Sequence, residues 1–201
     1  MARHQDDEKR SRILEAAIIA FQDQGFTTTT IKDIADRAGI APGSIYTYFQ
    51  DKEVLFIAAV DTVWKSFYGG LKPIMTLQEP FHQKMESMLD YGFKLLEELH
   101  PLVQGMYQEP SRLNLFHKNI VKLSKQLAFF FDTVQTRLPG LSRIDRRSRM
   151  HLIKLWISGM MFTLSSLPPE RIQQEITQQR KLILDLLISG TDPTITSHKI
   201  D

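Results

Sequence analysis

The chain contains no cysteine, which excludes disulfides, thiolate metal sites and cysteine nucleophiles. Its six histidines, His4, His82, His100, His117, His151 and His198, include no pair spaced by three or four residues, so no helix presents a two-histidine metal site. Serine, histidine and aspartate are present without a nucleophile-elbow pattern, and Pro42-Gly43-Ser44 is not a phosphate-cradling loop. Neither an enzyme nor a bound cofactor is expected. No stretch shows the apolar–polar alternation of a half-buried strand, and there is no internal repeat or low-complexity tract. The first eight residues are polar and lack the apolar core of a signal peptide. No apolar run is expected to span a bilayer, so the expectation is a cytoplasmic protein without a membrane partner. The net charge of +2 is too small to argue for nucleic acid by itself.

What the 201 residues do contain is an ordinary globular composition, 42% hydrophobic and 24% charged. That suits one or two domains with a sizeable core. The most informative stretch is 29–49. Thr30 can cap a helix through its hydroxyl, and Asp33, three residues on, can bond back to it. Ile31, Ile34, Ala35 and Ala38 then fall on one helical face. Gly39 stands where the chain needs a residue that tolerates positive φ. Pro42 fits the first turn of a second helix, where its missing N–H has no intrahelical partner. Two short helices joined by a glycine-containing turn make a helix-turn-helix.

In the second of these helices, predicted over 42–49, Ile45 and Phe49 share a face that is expected to be buried. Thr47 and Gly43 point away from it, with Ser44 and Tyr46 on the flanks. A surface that is small, uncharged and able to donate and accept can enter a major groove and touch base edges. Pro42 can touch a thymine methyl. Asp51 can cap the next helix, and Lys52 beside that helix N-terminus suits a phosphate.

The charge count over residues 1–60 runs the other way. Seven Lys and Arg stand against nine Asp and Glu, a net of −2, which disagrees with a simple basic patch. Phosphate contact depends on where charges sit. Lys32, Arg37 and Lys52 flank the groove helix, and Arg3, Arg10 and Arg12 can form a basic arm.

Around this stretch the chain reads as all-α. A first helix is predicted over 9–24, with Ile13, Leu14, Ala17, Ile18 and Phe21 as its stripe and Gly25 ending it. A fourth is predicted over 52–68, broken by Gly69-Gly70 with Pro73 in the following turn. Further helices are predicted over 80–99, 100–109, 110–138, 143–166 and 170–189, punctuated by prolines. The tail after Gly190 reads as loosely ordered. The middle helices are rich in methionine and aromatics, which suit either a core or a deformable apolar cavity.

Two runs carry a resemblance. Gly25-Phe26-x-x-Thr29-Thr30-Ile31-x-x-Ile34-Ala35-x-x-Ala38-Gly39-Ile40 and Tyr46-x-x-Phe49-x-x-Lys52-Glu53-x-Leu55 resemble the signature of the tetracycline-repressor (TetR) family of bacterial regulators. The resemblance covers about a quarter of the chain, roughly residues 13–55. One departure is Ala41-Pro42, where the family often carries Ser or Thr. Alanine cannot cap, and proline offers no N–H to a phosphate.

The resemblance implies an N-terminal three-helix, homeodomain-like helix-turn-helix domain over 1–51 and an all-helical ligand-binding and dimerisation domain over 52–201. It implies a transcriptional repressor that binds a palindromic double-stranded DNA operator as a homodimer and is released by a small lipophilic effector. The alternatives are an activator, or an all-helical carrier of lipophilic ligands. On this reading Pro42, Gly43, Ser44 and Thr47 contact bases, and Thr30, Arg37, Tyr46, Tyr48 and Lys52 contact phosphates. Candidate pocket residues are Phe67, Met88, Tyr91, Gln104, Met106, Tyr107, His117, Phe130, Trp156 and Met160. The implied dimer interface draws on Leu152, Leu155, Gly159, Ile172, Ile176, Ile183 and Leu187.

Overall fold

The computed structural model describes the backbone of residues 2–98, 100–107, 110–134 and 144–189, and the side chains of 5–98, 100–104, 117–133 and 144–186. The expected Met106, Tyr107, Leu187 and Arg3 side chains, and the tail after Gly190, lie outside the described residues. Among the described residues there is no strand, and the fold is all-α, as expected. The helices are α1 (Ala2–Thr28), α2 (Ile31–Ala38), α3 (Pro42–Ile45), α4 (Lys52–Thr76), α5 (Phe81–Glu98), α6 (His100–Tyr107), α7 (Pro110–Val134), α8 (Arg146–Ser166) and α9 (Pro169–Ser189).

The chain divides into two compact units. The first is Met1–Gly70 with Glu98–Leu115, and the second is Leu71–Glu97 with Phe116–Asp201.

In the first unit α1 packs on both α2 and α6. The stripe read from the sequence is buried at Ile13, Leu14, Ala17 and Phe21 of α1, as are Ile34, Ala35, Ile45, Phe49, Leu55 and Phe56. Three rings knit its base. Phe21 and Phe26 each stand edge-on to Phe56, at 5.1 and 4.9 Å between centroids, a geometry that aligns ring edge with ring face. Gly25 takes φ 75°, ψ 172° and kinks α1 there, which only a residue without Cβ does readily. The turn that follows is stitched from inside. The fully buried Thr29 hydroxyl lies within reach of the Gly25 carbonyl (2.6 Å) and the Ala20 carbonyl (3.0 Å).

In the second unit Phe93, Met160, Leu164, Ile172 and Ile176 form a buried cluster, with Leu89, Leu96, Leu167 and Ile183 packed against it. Trp156 meets Phe93 edge-on. Asp145 caps α8 by accepting from the N–H groups of Arg147 and Ser148. The Ser148 hydroxyl also donates to it, and holds its carboxyl below the usual carboxylate range. Asp132 of α7 accepts from both Arg146 and the buried Arg149, and Asp90 of α5 pairs with Arg180 of α9.

Three expectations are corrected. First, α4 does not stop at Gly69-Gly70. It continues through both glycines and Pro73 to Thr76. Two glycines cost roughly 1 kcal/mol each in a helix. The rings of Trp64, Phe67 and Tyr68 pack on one another along the preceding turn, and Phe67 and Leu71 are buried. Side-chain packing of this kind outweighs propensity. Second, α3 is shorter than predicted. Regular helix ends at Ile45, and Thr47, Tyr48 and Phe49 continue it as turns through N–H donation to Ser44 and Ile45 carbonyls. Third, α4 is long and apolar enough to cross a membrane by length and composition alone. It carries Asp61 and Lys65 mid-helix, and charges at bilayer depth are costly.

Candidate nucleic-acid interface

The reading element is built from local rules that act within a turn. At the start of α2 the Thr30 hydroxyl accepts from the Asp33 N–H at 3.2 Å and donates to its carboxylate at 2.7 Å. The Thr30 N–H donates to the same carboxylate at 2.8 Å, completing a capping box. The hydroxyl of Thr30, and after it the backbone N–H, holds the Asp33 carboxyl below its usual range. At the other end Gly39 adopts φ 65°, ψ 41°. The Ile40 N–H reaches back to the Ala35 carbonyl and the Gly39 N–H to that of Asp36, a Schellman closure. Pro42 opens α3 from an extended Ala41 that makes no side-chain cap.

The facing of the second helix is as read. Ile45 and Phe49 are buried, while Pro42, Gly43, Tyr46 and Thr47 are exposed and Ser44 is half-buried. A Cβ added at Gly43 would meet nothing within 4 Å. The outer side of 42–48 is therefore open, narrow and uncharged.

The expected phosphate contacts are less uniform. Tyr46 is exposed, 56% of its surface being accessible. Tyr48 donates its hydroxyl to Asp6 at 2.6 Å, and that bond raises its pKa above the ordinary phenol value. Arg37 pairs with Asp23 at 2.7 Å across an exposed surface, where such a pair contributes only about 0–1 kcal/mol and is readily exchanged. The Thr30 hydroxyl is engaged in its capping box.

Lys52 departs furthest from expectation. Its ammonium donates to the carbonyls of Phe26 (2.9 Å) and Thr29 (2.8 Å) and lies 4.3 Å from the centre of the Phe26 ring. The carbonyls left open past the end of α1 attract it more directly than solvent does.

The basic arm is likewise corrected. Residues 2–28 are helical about the kink at Gly25. Arg10 lies over the Phe49 ring at 5.2 Å, and Arg12 donates to the Ala38 carbonyl at 2.6 Å. Both brace the reading element from behind. The sequence reading missed this role, and missed Asp6. The only available signal was that residues 6 and 10 share a helical face.

These features have counterparts in known proteins. The family model for bacterial regulatory proteins of the tetR family matches residues 13–59. Over these residues the chain is similar to the tetR family. The HTH-type transcriptional repressor KstR2 of Mycolicibacterium smegmatis is 29% identical over 110 residues, 55% of this chain and 54% of the relative. The chain thus spans about half the length of that relative. The fatty acid metabolism regulator protein of Bacillus subtilis is 23% identical over 184 residues, 90% of this chain and 95% of the relative. The solved structure of the transcriptional regulator FadR from Bacillus subtilis, in complex with stearoyl-CoA, is similar with a TM-score of 0.65 at 20% identity. It covers 90% of this chain and 99% of that one. At that identity the likeness is one of fold.

The remaining candidate residues fall in both units. Phe67 and Gln104 belong to the first unit. Met88, Tyr91, His117, Phe130, Trp156 and Met160 belong to the second. Met160 sits in the second unit's own buried cluster. Met88 and Phe130 are buried, and Tyr91 is half-buried. His117 is exposed with its Nε2 3.3 Å from the Lys154 ammonium.

The interface candidates separate sharply. Leu152, Leu155 and Gly159 are exposed, and nothing lies within 4 Å of a Cβ added at Gly159. Ile172 and Ile176 are instead buried in the chain's own core, and Ile183 packs against it. These three pack with α5 and α8 residues of the same unit. Leu182 and Leu186, not singled out from the sequence, are exposed, and so is Phe162, which was read as core or cavity.

Proposed function

We propose that this chain is a DNA-binding transcriptional repressor that holds a palindromic operator as a homodimer and is released by a small lipophilic ligand. The observation that carries the reading is the open, uncharged outer side of 42–48, set opposite the buried Ile45. On this proposal residues 1–51 read DNA, and 52–201 bind the ligand and the second copy. Pro42, Gly43, Ser44 and Thr47 face base edges. Tyr46, Tyr48, Thr30 and Arg37 take phosphates, and Lys52 acts chiefly by fixing the turn beneath them. The reading is that of a cytoplasmic regulator without enzymatic activity.

A dimer follows from size and from surface. A helix of one turn buries little area on DNA, so two copies reading half-sites supply the affinity. Leu152, Leu155 and Phe162 on α8, with Leu182 and Leu186 on α9, give apolar surface for the second copy. For the effector, the similar fatty-acid regulators favour a long acyl chain, carried for instance as an acyl-CoA. Such a ligand lowers operator affinity by as much as it prefers the state that cannot grip both half-sites.

The test begins with selection of a duplex from a random pool on the wild-type chain. Gly43→Glu puts bulk and negative charge on the open face, and is expected to abolish binding to that duplex while the helical signal stays intact. Stearoyl-CoA is expected to release the wild-type complex. Unchanged binding by Gly43→Glu would remove the proposed reading face. A chain that binds stearoyl-CoA but enriches no DNA would be a carrier.

A further inference from the structure

The contact between Asp6 and Tyr48 joins the first turns of α1 to the reading element, 42 residues away in sequence. It is not isolated. Arg10, one turn along the same face of α1, lies over the ring of Phe49. The N-terminal part of α1 therefore touches two successive residues at the end of 42–49, one through a carboxylate and one through a guanidinium. Asp7 and Glu8 follow Asp6 directly, and both are exposed.

We propose that Asp6 is a built-in competitor for DNA phosphate, holding the Tyr48 hydroxyl in the free chain and lowering the affinity of the reading element for duplex. The inference rests on the DNA-binding reading above. A phenol has one proton to donate. At 2.6 Å it is committed to a carboxylate, and charge-assisted bonds of this kind are among the stronger ones. Engaging a phosphate oxygen requires that bond to be given up. It also leaves an anionic carboxylate facing an anionic phosphate at a separation within the screening length of about 8 Å at physiological salt. The balance of seven basic against nine acidic residues over 1–60 acts in the same direction. Arg10 and Arg12, which could have offset it, are turned to Phe49 and to the Ala38 carbonyl. The chain is thereby biased toward weak non-specific binding, so that occupancy of DNA depends on base contacts.

The test uses the full-length chain and a duplex selected on it from a random pool, with binding measured by fluorescence anisotropy at fixed salt. Asp6→Asn keeps the shape but weakens the acceptor and removes the charge. It is expected to tighten binding by about two- to fivefold, the scale of one charged contact at an exposed site. Asp7→Asn removes the same charge from the neighbouring residue and is expected to change binding by less than about twofold. In a Tyr48→Phe background the gain from Asp6→Asn is expected to shrink, because the part that runs through the hydroxyl is gone and only the carboxylate–phosphate repulsion is left. Thermal melting of each variant reports whether the fold is kept. Asp6→Asn that weakens binding or leaves it unchanged overturns the proposal, as does an equal gain from Asp7→Asn or an undiminished gain in Tyr48→Phe. If selection enriches no sequence, the DNA-binding reading itself falls, and the inference with it.

Discussion

In the unit made of Met1–Gly70 and Glu98–Leu115, three large apolar side chains stand exposed among the described residues: Ile19, Tyr46 and Val54. In the unit made of Leu71–Glu97 and Phe116–Asp201 there are eight, and Leu155, Phe162 and Leu186 are each more than 60% exposed. The first unit closes its core with its own helices and turns a small, uncharged side outward. The second builds a core around Phe93 and Met160 and still has apolar surface left over. Excess apolar surface of this kind marks an interaction face. On the proposed reading, the outer side of 42–48 fits a polar groove with Tyr46 as its large exposed ring, and the apolar surface of the second unit meets a second copy.

The contrast can be broken most directly at the exposed leucines. Leu155→Asp combined with Leu186→Asp is expected to leave the helical content of one chain unchanged and to turn the assembly into monomers, measured by light scattering. If both the variant and the wild type are monomeric, the surface of the second unit has some other use. The opposite experiment tests the sealed core. Phe56→Ala removes the ring that Phe21 and Phe26 pack against, and is expected to cost about 3–5 kcal/mol in denaturant unfolding. A loss below about 1 kcal/mol would mean that this core is looser than it looks.

Smaller effects sharpen the same division. Gly39→Ala forces a Cβ into φ 65° and is expected to lose about 1 kcal/mol. Its Cβ would also sit 3.5 Å from the Arg12 guanidinium. Thr30→Ala breaks the capping box and is expected to lose about 1 kcal/mol, read as a lower melting temperature. The smallest effect is alkaline. Burial pushes the Tyr68 hydroxyl up to about 12 from its ordinary 10.0. A raised folded-state pKa means that the folded chain holds its proton more tightly. This contribution is therefore complete below pH 10 and is lost as pH rises toward 12. Tyr68→Phe is expected to flatten the fall in melting temperature across that window, and an unchanged slope would place the ring in water.

Much of the reading element was legible before any coordinates. Thr30, Asp33, Gly39 and Pro42 act on backbone groups within a turn of themselves, so residue type and spacing nearly suffice. The buried Ile45 and Phe49 followed from helical period alone. The phosphate set was less legible. Lys52 has a long side chain with several acceptors in reach, and which one it takes depends on where the end of α1 comes to lie. Asp6 was invisible for the same reason, since its partner is 42 residues away. Gly69-Gly70 misled because a propensity cost of about 1 kcal/mol per glycine yields to packing by Trp64, Phe67 and Tyr68.

The amino-acid order alone determined the helical class, the capped helix-turn-helix and the side of its second helix that would face outward, because those are set by forces reaching no further than a few residues. Tertiary structure decided which charges pair and which apolar stripes are closed off, as with Ile172 and Ile176 inside and Leu152 and Leu155 outside. Both pairs, at i,i+4 and i,i+3, share a helical face, and all four side chains are apolar. Phe93 and Met160 pack beside one pair, while the other pair stays exposed, and that difference separates core from surface.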